Sequence, residues 1–109
     1  MSEIKEIIDR LVEFRDARDW SQFHNSKDLA LAISIEAGEL LEAFLWKSPE
    51  AVNPLKVKEE LADVLAYCLL LAHHHNLDIK TIIEDKIRLN EKKYPVEKAR
   101  GNASKYTDL

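Results

Sequence analysis

Two pairs of acidic residues interrupt otherwise apolar stretches at a spacing of three. They are Glu36 and Glu39 within LALAISIEAGELLEAFLW, and Glu60 and Asp63 within EELADVLAYCLLLAHHH. On a helix, residues three apart project from neighbouring points of one face. Asp63 is the one charge between Leu61 and Ala72, and a buried carboxylate without a partner is costly. If the two stretches pack antiparallel, four carboxylates converge. Like charges gathered at a partly buried point force some of the group to protonate, unless a cation joins them. A hard divalent ion with oxygen ligands, Mg²⁺ or Mn²⁺, resolves that conflict. A carboxylate-bridged di-iron site wants Glu-x-x-His pairs, and neither pair supplies the histidine. E-x-x-E alone is a common pattern that usually marks a solvated face. Its appearance on two largely apolar helices is the more specific signal.

Four helices are expected to position these groups. The first, from Ser2 to Arg18, carries Ile4, Ile7, Ile8, Leu11, Val12 and Phe14 at helical spacing, with Ser2 as N-cap. The segment DWSQFHNS breaks that pattern. The second helix is expected from Ser26, read as its N-cap, to about Lys47. Apart from its glutamates and Ser34 it is apolar all round, which predicts a central helix packed on several sides. Gly38 weakens that helix relative to alanine and would admit another backbone at close range. Residues 48–54 form a loop marked by two prolines. The third helix runs from Pro54 to His75, with proline in the first turn where it is tolerated, and stops at Asn76. The fourth runs from Asp78 to Lys93, and Pro95 prevents continuation. Residues 95–109 lack a periodic apolar face and are expected as a non-helical tail. Nothing alternates with period two, so the class is all-α: a four-helix bundle, one domain over residues 1–109.

On the third helix, Lys56, Glu60, Asp63, Tyr67 and His74 share one narrow stripe. His73, His74 and His75 point in three directions and cannot ligate one ion. Near a helix C-terminus they suit the dipole and read as structural. Cys68 lies away from the acidic stripe and reads as core.

Of the 109 residues 46% are hydrophobic, with two glycines and three prolines. So short a chain buries a modest core, and self-association would bury the surplus. A net charge of −4 without a basic patch speaks against duplex nucleic acid as a partner. The single cysteine rules out an intrachain disulfide. The N-terminus has no signal-peptide pattern and no apolar run is long enough for a bilayer, so a cytosolic protein is expected.

Taken in order, RDWSQFH, EAGELLEAFLWK, EELADVLAY, KIRLNEKKYP and ARGNASKYTDL resemble the dCTP pyrophosphatase family, within the MazG-like all-α nucleoside triphosphate pyrophosphohydrolases, over nearly the whole chain. The resemblance implies hydrolysis between the α- and β-phosphates, giving monophosphate and pyrophosphate. It implies Mg²⁺ dependence, a tetramer of two tight dimers, and removal of excess or modified dCTP from the nucleotide pool. Glu36, Glu39, Glu60 and Asp63 would hold the metal and orient a water for in-line attack. One of them, or Glu42 through a water, would accept the proton. Lys86 and Asn90, one turn apart on the fourth helix, become candidates for phosphate contacts, and Lys93 would add a charge there. Trp20, Trp46 and Tyr67 are expected to stack on the base, with His24 at its polar edge. Animal members of the family carry a histidine where this chain has Leu11, which points to looser or different base selectivity. Other readings stay open: dUTP or broad nucleotide specificity, a helical module that binds nucleotide without cleaving it, and a divalent-metal buffer. A pure binder has little reason to keep all four carboxylates.

Overall fold

The four long helices each begin on a side chain that accepts a free N–H of the first turn. In the computed structural model, which describes residues 2–109, Ser2 Oγ accepts from Lys5 N at 3.1 Å and opens α1, Glu3–Ala17. Asn25 Oδ1 accepts from Asp28 N at 2.8 Å and opens α2, Ser26–Glu42. The cap is thus Asn25, not Ser26. Asn53 Oδ1 accepts from Leu55 N and opens α3, Pro54–His74. Asp78 accepts from both the backbone and the hydroxyl of Thr81, at 3.0 and 2.8 Å, and opens α4, Ile79–Lys93. A short α5, Val96–Ala99, and three 3₁₀ turns complete an all-α chain with no strand among the described residues.

The chain divides into two compact units, the first ending at Leu77 and the second spanning Asp78–Leu109. In the first, α2 packs along α3, and α1 packs on α3. Ser26, at the start of α2, lies 2.7 Å through its Oγ from Nε2 of His75, just past the end of α3. The two helices are therefore antiparallel, as the convergence of the carboxylates requires. α3 ends where Asn76 turns into the left-handed region at φ 55°, and the N–H of Leu77 reaches back to the carbonyl of Ala72 at 2.9 Å, a Schellman-type closure. Ile8, Leu29, Ala43, Leu70 and Ala72 form the buried apolar core.

Three further expectations are corrected in this unit. α2 is not surrounded within the chain: Leu31, Ile35 and Leu41 are each more than half exposed. Gly38 faces open space, since an added Cβ would meet nothing within 4 Å. And α2 stops at Glu42, five residues short of Lys47. From Ala43 onward the N–H groups bond three residues back instead of four. That tightening winds the chain to a reversal at Trp46, φ 60°. Pro49 then requires the extended backbone seen at Ser48.

In the second unit, the expected non-helical tail is partly helical. Pro95 ends α4 but also starts α5, because its fixed φ suits a helix entrance. The segment beyond Gly101, φ 78°, returns so that the Tyr106 ring meets Tyr94 edge-on at 5.9 Å, with Lys93 Nζ 4.9 Å from the Tyr106 ring centre. An aromatic pair and a cation–π contact hold the tail where no apolar face exists.

Candidate functional site

The antiparallel packing of α2 on α3 brings Glu36 opposite Glu60 and Asp63. Each offers a carboxylate oxygen, and the three oxygens lie within 4.8 Å of one another. Glu60 is 7% exposed, whereas Asp63 lies at the open edge. Oε2 of Glu36 and Oε2 of Glu60 are buried without a hydrogen-bond partner. Such orphaned oxygens call for an explanation, and an all-oxygen donor set with unmet acceptors fits a hard divalent cation.

Electrostatics agree with the geometry. The carboxyl of Glu36 is held above the ordinary carboxylate range, first by burial, then by the adjoining Glu39 carboxyl, to which a protonated Glu36 can donate. The charges of Glu39, Asp63 and Glu60 push in the same direction. This is the desolvation and like-charge pattern of a carboxylate cluster without a counter-ion.

Glu39 stands outside the close trio. It is exposed and lines a cavity of about 580 Å³ together with Glu42, Lys47, Asn53, Lys56 and Glu60. Lys56 Nζ sits 2.8 Å from Glu60 Oε1. That hydrogen bond, followed by the charge of Glu60, raises the pKa of Lys56 and keeps it an ammonium. Lys47 and Asn53 are additions to the residues read from sequence. Both lie between helices and carry no spacing signal; pairing α2 with α3 is what brings them beside Glu60.

Among the expected base-binding residues, the structure joins two. The rings of His24 and Tyr67 meet edge-on, 6.3 Å between centres, with Tyr67 one turn past Asp63. His24 Nδ1 is buried and unpartnered. Burial, then the charge of Arg15, lowers its pKa and favours neutral imidazole. Trp20 instead packs edge-on against Phe14 of α1 at 5.8 Å, and the Arg18 guanidinium covers Phe14 at 3.7 Å. Trp46 is 94% exposed beside Lys47. Leu11 lines a smaller cavity of about 290 Å³ with Ile7, Arg10 and Phe14. Lys86 and Asn90 lie exposed on α4, in the second unit.

An antiparallel helix pair carrying E-x-x-E opposite E-x-x-D defines an all-α, carboxylate-lined domain. Residues 31–109 match the model of the MazG-like family, and the chain belongs to that family. It is 44% identical over 105 residues to dCTP pyrophosphatase 1 of Rattus norvegicus and 40% identical to that of Homo sapiens, each alignment covering 89% of this chain. The chain spans 62% of the length of these curated relatives. Among solved structures, a pyrophosphatase from Archaeoglobus fulgidus aligns with a TM-score of 0.81 at 39% identity, covering 87% of this chain and 94% of that one.

Proposed function

We propose that this chain is a single-domain, Mg²⁺-dependent nucleoside triphosphate pyrophosphohydrolase, with Mn²⁺ as an alternative ion. Its substrate is dCTP or a related deoxynucleotide, cleaved to the monophosphate and pyrophosphate. The observation that carries the reading is the trio of Glu36, Glu60 and Asp63 oxygens within 4.8 Å, two of these side chains holding a buried oxygen without a partner. The names of the relatives support the reaction and the base.

In this reading Glu36, Glu60 and Asp63 hold the metal, with Glu39 completing the acidic set from the cavity wall. Bound there, the ion supplies Lewis acidity toward phosphate oxygens and lowers the pKa of a water. Glu39 and Glu42 face the cavity and are the carboxylates available to take a proton from the attacking water. Tyr67 and His24 form one aromatic wall near Asp63, and neutral His24 offers a nitrogen to the base edge. Trp20 and Trp46 supply further stacking surface. Lys86 and Asn90, exposed on α4, are the candidates for phosphate contacts that the family resemblance implies.

Self-association into a dimer or a dimer of dimers would cover the exposed apolar positions of α2 and α3. No helix among the described residues is long and apolar enough to cross a membrane, and Cys68 is free, which suits a cytoplasmic setting. Pyrophosphate release measured across all canonical dNTPs and NTPs, with and without Mg²⁺, tests the proposal. dCTP is expected to head the series, and only with metal. Tight nucleotide binding without pyrophosphate release would make the chain a binding module instead.

A further inference from the structure

The acidic cluster contains one cation of its own. Lys56 sits one turn before Glu60 on α3, and its Nζ lies 2.8 Å from Glu60 Oε1. Pairs of this spacing are common on helix surfaces and contribute little. Two others here, Lys5 with Asp9 and Lys80 with Glu84, join residues whose side chains are all more than 40% exposed. The Lys56 pair differs because its carboxylate side chain is 9% exposed and belongs to the metal-fitting trio. Glu60 therefore has two unlike oxygens. Oε1 is taken by the ammonium; Oε2 is buried and unpartnered.

Resting on the pyrophosphohydrolase reading, we propose that Lys56 is a built-in counter-ion that competes with the divalent metal for Glu60. Its ammonium offsets part of the cluster's mutual repulsion while the metal is absent. A divalent ion that engages Glu60 adds two positive charges close to the Lys56 ammonium, and like charges this near repel. That repulsion drives Lys56 away from Glu60. Its flexible stem, half exposed, lets Nζ swing into the cavity that it lines with Lys47 and Asn53. Lys56 is thus a positioning residue that weakens metal binding in the nucleotide-free protein. An anionic substrate in the same cavity relieves that penalty, so metal and nucleotide favour each other's entry.

The test is isothermal titration of the full chain with Mn²⁺ alone, comparing wild type with Lys56→Met, Lys56→Gln and Lys56→Arg. Removing the charge is expected to tighten Mn²⁺ binding by roughly two- to fivefold, the surface ion-pair range converted to affinity, because the ammonium end of the pair is half exposed and screened by solvent. Lys56→Arg should remain close to wild type. A merely structural lysine predicts the opposite sign, because losing it would loosen Glu60 and weaken the metal. Unchanged or weaker Mn²⁺ binding in both uncharged variants, with wild type binding Mn²⁺ and releasing pyrophosphate, overturns the counter-ion while sparing the enzyme. A wild type that takes up no Mn²⁺ and releases no pyrophosphate overturns both.

Discussion

Glu36 on α2 and Asp63 on α3 bring carboxylate oxygens to within 4.8 Å of each other across the helix pair. Helix packing alone creates this proximity, since the end of α2, a loop and the first turns of α3 separate the residues in sequence. Asp63 lies at the exposed edge of the trio, so Asp63→Asn should leave the fold intact. It replaces a charged ligand by a neutral one of the same shape. Turnover is expected to fall on the order of a hundredfold or more, at or beyond the cost of disturbing groups that merely orient metal ligands. The rise in Tm on adding Mg²⁺ should disappear with it. Retained turnover in a variant with wild-type circular dichroism would remove Asp63 from the site.

The raised pKa of Glu36 fixes a pH dependence. A carboxyl whose folded-state pKa exceeds its unfolded value binds its proton more tightly when folded. Its contribution is therefore favourable at low pH, and is lost as pH rises from near 4.5, the ordinary value, through the higher folded-state value. In EDTA, wild-type Tm should fall across that window more steeply than that of Glu36→Gln, and Glu36→Gln should be the more stable protein at pH 7. Mg²⁺, which binds the ionised cluster, should raise wild-type Tm more at pH 8 than at pH 5. Thermal melts at four or five pH values decide this. Parallel wild-type and Glu36→Gln curves would show that Glu36 is not strained by its neighbours.

The sequence made the helices and the two facing acidic pairs legible for a local reason. Pro54 and Asp78 are start signals within one turn of what they control, and three-residue spacing sets a helix face without help from the rest of the chain. What it left hidden depends on contacts between distant segments. Asn25, not Ser26, caps α2, and the Ser26 hydroxyl instead faces His75. The early end of α2 at Glu42 was masked because residues 43–46, AFLW, read as a continuing helix. The position of Glu39 outside the trio follows from the register of α2 on α3, which spacing alone cannot supply. The tail is ordered by Tyr94, Tyr106 and Lys93 rather than by a periodic face.

Trp46 holds a left-handed backbone, φ 60°, with its side chain 94% exposed. A non-glycine residue there is strained by about 1–2 kcal/mol, and strain of this kind gathers at functional positions. Replacing it with glycine separates the two effects. Trp46→Gly relieves the backbone, so Tm should hold or rise. If Trp46 stacks on the base, the KM for dCTP should rise by roughly tenfold, the low end of a stacking contribution of about 1–3 kcal/mol. Steady-state kinetics with a parallel melt check both. An unchanged KM would assign Trp46 to something other than the nucleotide.

Leu31 and Ile35 are one turn apart on α2, and Leu61 and Leu65 one turn apart on α3, with exposures of 51, 62, 43 and 52%. Each pair forms a stripe rather than scattered points. Fully burying an aliphatic side chain contributes about 1.5–3 kcal/mol, so completing the burial of four half-covered ones offers roughly 3–6 kcal/mol before the losses of association. A second copy supplies a matching apolar surface by symmetry. Light scattering behind size exclusion should therefore give at least twice the 12.6 kDa chain mass at micromolar concentration. Ile35→Asp places a charge in that seam and should shift the population to monomer, with a lower Tm. Because Ile35 is exposed in the isolated chain, a purely monomeric protein would tolerate the aspartate without loss. A monomeric wild type, or an Ile35→Asp variant of unchanged mass and stability, would leave these stripes as ordinary surface.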